Sequence, residues 1–66
     1  MNPIITFQIF CIETYSVHIA KPSNVIYTLF KETGLLDLLK TDYADLHGLG
    51  SEALSSFFDE YIKGRS

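Results

Sequence analysis

Apolar residues recur at helical spacing along most of this chain, and Pro and Gly divide them into four runs. In the first, Ile4, Phe7, Cys11, Tyr15 and Ile19 fall near one face at about 100° per residue, with Ile5 and Ile12 on its flank. Thr6, Glu13 and Ser16 lie opposite, and Phe10 and Val17 form a second, smaller apolar strip beside Glu13. An apolar surface this wide predicts a helix contacted on more than one side. Ile, Phe, Thr and Val also favour strands. The length of the run and Pro3 at its start favour a helix over about 3–19, with Asn2 as its N-cap.

Lys21-Pro22 breaks this helix, because the residue before proline avoids the helical region. Ser23 is expected to cap a second helix over about 24–33, with Val25, Ile26, Leu29 and Phe30 as its stripe, Tyr27 to one side, and Lys31 and Glu32 outward. Gly34 stops it in the left-handed conformation. Leu35, Leu36, Leu38 and Leu39 predict a deeply packed third helix over about 35–46, with a kink or a new turn at Thr41-Asp42. Gly48 and Gly50 end it. Ser51 is expected to cap a fourth helix over about 52–63, which carries Leu54, Phe57, Phe58, Tyr61 and Ile62. Its wet side is Ser55, Ser56, Asp59, Glu60 and Lys63; Glu52 suits its positive start, and Lys63 and Arg65 its negative end. The pattern predicts a single all-α domain over residues 1–66, a compact bundle of three to four short helices with tight Gly/Pro connections.

Composition changes this picture in one respect. Apolar residues make up 47% of 66, which argues against disorder and leaves more apolar surface than a small body easily hides. Domains of this size usually need a disulfide, a metal or a partner chain. The lone cysteine, Cys11, excludes an intrachain disulfide, and its run Phe10-Cys11-Ile12 reads as a buried, inert thiol. His18, His47 and Cys11 lack the short spacing of a zinc site, so no metal and no cofactor are expected. The remaining staple is a protein partner or self-association. The N-terminal apolar run has no basic n-region and no small-residue cleavage site, and Gln8 and Glu13 interrupt it. A cytoplasmic protein without a membrane span is the expectation.

Candidate chemistry is sparse. Ser23–Leu39 has a helix–turn–helix rhythm, but the second helix and its continuation, LLDLLKTDYADL, bring one Lys and three Asp, in a chain of net charge −3. DNA affinity rests largely on neutralised phosphates, so this reads as an α-hairpin with no direct nucleic-acid contact. His18, His47, Glu13 and the Asp37, Asp42 and Asp45 group have no spacing diagnostic of a catalytic triad. His47 and His18 are each expected to bond a carbonyl at a helix end or to complement the helix dipole. HGLGS, residues 47–51, lacks the loop length and the following Lys of a phosphate-binding loop. Among Tyr15, Tyr27, Tyr43 and Tyr61, at least one is expected at an interface, since tyrosine offers contact area at low entropy cost.

FCIETY (10–15), SNVIYTLFKETGLLDLL (23–39), DYADLHGLG (42–50) and FFDEYIKGR (57–65) follow one another in an order that resembles a family of short bacterial proteins of unknown function. The resemblance covers nearly the whole chain. Its more specific parts are Tyr27 with Leu29-Phe30, Gly34, and the Y-x-x-L-H-x-x-G pattern of Tyr43, Leu46, His47 and Gly50. The family often has a Glu before its Val-Tyr pair, which Asn24-Val25-Ile26-Tyr27 lacks. The resemblance implies a gene beside that of a larger protein resembling an ADP-ribosyltransferase-type toxin, with this chain as the antitoxin-like small partner.

Three functional readings follow. The first is a non-catalytic protein–protein interaction module, with Phe10, Val17, Tyr27, Tyr43 and His47 as candidate partner-binding residues. The second is a self-associating structural homodimer. The third is a small ligand-binding or enzymatic protein using His47.

Overall fold

The Asn2 side chain accepts a hydrogen bond from the Ile4 amide at 2.8 Å, and with Pro3 in the first position it starts α1, Pro3–Ile19. The computed structural model describes residues 2–64; Arg65, expected to complement the last helix, lies outside the described residues. Four more helices follow: α2 Ser23–Thr33, α3 Leu35–Thr41, α4 Tyr43–Leu46 and α5 Ser51–Lys63. No strand occurs among the described residues, so the fold is all-α. None of the described helices is long and apolar enough to cross a membrane.

The connections are tight, as Gly and Pro require, but two caps differ from expectation. Ala20 adopts a left-handed conformation (φ 56°), and the Ala20 and Lys21 amides close back on the Val17 and Ser16 carbonyls. Ser23 and Ser51 are the first residues of α2 and α5 rather than their caps. Extended Pro22 and Gly50 occupy the cap positions without side-chain bonds, and their carbonyls accept from Ile26 and Leu54. Neither Gly48 nor Gly50 has a positive φ. The expected helix over 35–46 is interrupted at Asp42 (φ −106°, ψ 23°). Thr41 and Asp42 compete with the backbone for hydrogen bonds and are weak helix formers, and the Thr41 hydroxyl bonds the Leu38 carbonyl alongside the Asp42 amide.

Gly34 serves two helices. It ends α2 at φ 84°, and its carbonyl accepts from Leu38 in the first turn of α3. A Cβ there would meet only the Tyr61 hydroxyl, at an ordinary 3.5 Å, so the constraint is conformational. Gly34→Ala is expected to cost about 1–2 kcal/mol. At roughly 4–8 °C per kcal/mol for a domain of this size, thermal denaturation reads this directly.

The core explains why α1 is apolar on so many sides. It is the central helix, packed against α2, α3 and α5. Phe7, Cys11, Ile12 and Tyr15 of α1 meet Ile26 and Phe30 of α2, Leu35 and Leu39 of α3, Leu46 of α4, and Leu54 and Phe58 of α5. At its centre, Tyr15, Phe30 and Phe58 form a triangle of rings with centroids 5.2–5.7 Å apart, one ring from each of three helices. Ser55, expected on the wet side of α5, is instead buried beside this core. A hydroxymethyl group is small enough to sit where α5 comes up against α1.

Candidate functional site

Central packing does not cover all of α1. Phe10 and Val17 remain outward, Val17 at 83% exposure, and Ile5 and Ile9 are exposed on the other flank. Phe10, Glu13 and Val17 share a face by their i, i+3, i+7 spacing. On this flank two grooves run along α1. One, of about 430 Å3, lies against α4 and is lined by Pro3, Thr6, Phe7, Phe10, Tyr43 and His47. The other, of about 920 Å3, lies against the first turns of α5, and its walls include Phe10, Thr14, Val17, Glu52, Ser55 and Ser56. Phe10 lines both, so the two grooves lie end to end on either side of its half-exposed ring, a two-part channel along α1 from Pro3 to Val17.

Four of the five candidate residues therefore lie along one channel: Phe10 with Tyr43 and His47 at one end, Phe10 with Val17 at the other. Tyr27 lines neither groove; it stands half-exposed on α2. Tyr43 and His47 are locked together. Their rings stack with centroids 4.5 Å apart and 9° between planes, and His47 Nδ1 donates to the Tyr43 carbonyl at 2.8 Å, the helix-end bond expected for His47. Tyr43 also meets Phe7 edge to face at 5.4 Å, and Leu46 turns into the core. The Tyr43–Leu46–His47 pattern thus builds a rigid corner whose outer surface floors the channel.

The other end is held by a cluster that the sequence reading missed. Asp59 of α5 accepts from the Tyr15 hydroxyl at 2.6 Å through one oxygen and pairs with His18 Nε2 at 2.9 Å through the other. His18 does lie in the last turn of α1, where it can complement the helix dipole, but its ring nitrogen meets Asp59 of α5 rather than a helix-end carbonyl. Tyr15 and His18 share a face of α1 at i, i+3, so one carboxylate spans both. The Tyr15 bond, then that of His18, holds the Asp59 carboxyl below the usual carboxylate range. Burial, reinforced by Asp59, pushes the Tyr15 phenol above its ordinary value.

Among the described residues neither histidine is bonded to a serine, threonine or cysteine, and no group of three His, Cys, Asp or Glu stands ready to hold a metal. Cys11 is fully buried, and burial pushes its thiol up to about 12. Because the thiolate is the reactive form, Cys11 is expected to resist a maleimide or an aromatic disulfide in the native protein and to react fully once urea unfolds it. Rapid native labelling would show that α1 opens.

A family described as "Protein of unknown function (DUF3791)" matches residues 6–65. No match was found among curated proteins. No solved structure matches either.

Proposed function

The chain belongs to the DUF3791 family, whose function is unknown, and from that starting point we propose that it is a small non-catalytic protein-interaction module. It acts in the bacterial cytoplasm as the antitoxin-like partner of a larger protein encoded beside it. The observation that carries the reading is the exposure of Phe10 and Val17 on a central, almost uncharged helix. Burying a Phe or Val side chain is worth about 1.5–3 kcal/mol, which a partner gains by covering them. The sequence resemblance supplies the first partner to test. His47 as a chemical centre has less support, because one ring nitrogen and one ring face are already engaged by Tyr43.

Co-expression of the tagged full chain with the product of the adjacent gene tests the reading. A stoichiometric complex is expected, in a form that protects residues along α1 from hydrogen exchange. Recovery of the chain alone as a stable dimer, with a melting temperature that rises with concentration, would overturn it in favour of the homodimer.

A further inference from the structure

The two sides of the channel differ in chemistry, and the difference says what fits between them. One side is the α1 ridge of Phe10 and Val17, with Thr14 beside them. The other is the start of α5, where small exposed side chains, Ala53 and Ser56 among them, let a docked backbone approach closely. From Pro3 to Val17 the channel spans about 21 Å of helix rise, or roughly four turns. Length and apolar ridge suit a helix laid in a groove, a recurring mode of peptide recognition.

Charge selects which helix. Glu52 lines the channel, and exposed Glu13, outside both linings, stands on the outward face between Phe10 and Val17. His18, also in the lining, is already paired with Asp59. None of the described basic residues, Lys21, Lys31, Lys40 and Lys63, lines either groove. The α1 of a second copy supplies no complement, since it carries no Lys or Arg, and each chain has a net charge of −3.

We infer that the channel binds an amphipathic helix of a partner protein, with apolar anchors against Phe10 and Val17 and Lys or Arg along the edge facing Glu13 and Glu52. This rests on the interaction-module reading above and adds the chemistry of the partner. Apolar contact supplies the affinity, and the acidic rim selects and orients the helix.

The test titrates the isotope-labelled full chain with two synthetic helical peptides of about five turns, one built from Leu and Lys and one from Leu and Glu. The Leu/Lys peptide is expected to bind and to shift amide resonances along the Phe10–Val17 flank and the start of α5, while the Leu/Glu peptide does not bind. Val17→Asp separates docking from bulk attraction. It adds negative charge, so nonspecific electrostatics would strengthen binding, whereas loss of the apolar anchor weakens it about tenfold or more. Glu52→Lys, at an exposed position, is expected to weaken it in the same direction and serves if Val17→Asp unfolds the chain. Equal binding of both peptides, tighter binding to Val17→Asp, or shifts confined to the acidic Asp37–Asp45 region would overturn the inference. Concentration-dependent protection of Phe10 and Val17 without peptide would replace this occupant by a second copy. Protection by the adjacent gene's product with no response to the Leu/Lys peptide would leave the module standing and remove only the basic helix.

Discussion

Phe30→Ala leaves the isolated chain largely unfolded at 25 °C. Stabilities of about 0.05–0.15 kcal/mol per residue put a chain of this length near 3–10 kcal/mol, and small domains lie toward the low end. Truncating a buried phenylalanine costs about 3–5 kcal/mol, the transfer term plus the cavity left behind. Phe30 is fully buried and touches both other rings of the central triangle, so its loss also removes a tilted contact from Tyr15 and an edge-to-face contact from Phe58. The site has little room to collapse, because the three rings come from three different helices. Phe58→Ala is expected to behave alike. Far-UV circular dichroism against temperature reads both, and a fall in melting temperature of less than about 5 °C would mean that the triangle is not the keystone described here.

Asp59→Ala destabilises more than Tyr15→Phe does. Tyr15 is a buried residue, and without Asp59 its hydroxyl loses its acceptor at a part-buried position, which costs up to about 1–3 kcal/mol. Tyr15→Phe removes the donor as well as the bond, so little is left unsatisfied. In the Tyr15→Phe background the further change Asp59→Ala is expected to cost much less than alone, and the double-mutant cycle measures the difference. The pH dependence has a definite sign. Asp59 is held below its ordinary range in the folded protein, so the unfolded chain takes up that proton more readily. The stability contributed by the pair is present above the ordinary carboxylate range and is lost as pH falls through and below it. Acid melting curves below about pH 5 should therefore fall more steeply for wild type than for Asp59→Asn. Parallel curves would remove Asp59 from the account.

Much of this arrangement is written locally in the chain. The Asn2 cap, the Pro3 start, the α1 stripe and the Gly34 stop each depend on neighbours within a turn, and period and propensity read them directly. The outward strip of Phe10 and Val17 was legible for the same reason, as was the interruption near Thr41-Asp42. What escaped depends on packing between distant segments. Asp59 lies 44 residues from Tyr15 and 41 from His18, and nothing in either local pattern marks them as partners. Ser55 is polar and sits one position beyond Leu54 in the apolar stripe, so periodicity alone puts it in water, while the proximity of α1 buries it. The caps misread at Ser23 and Ser51 show the same limit: a serine at a helix start fits the cap or the first turn equally well by type, and the extended conformations of Pro22 and Gly50 decide between them. Tyr27 matched the interface chemistry but lies away from the channel, which only the helix packing reveals.

The central claim is that Phe10 and Val17 form a docking surface rather than a poorly packed part of the core. The most direct test compares wild type with Phe10→Ser and Val17→Ser, each melted alone and each titrated calorimetrically with the purified product of the adjacent gene. The account predicts unchanged helicity, melting temperatures within a few degrees of wild type, and binding weakened at least about tenfold. Collapse of helicity in both variants, or binding as tight as wild type in stably folded ones, would contradict it.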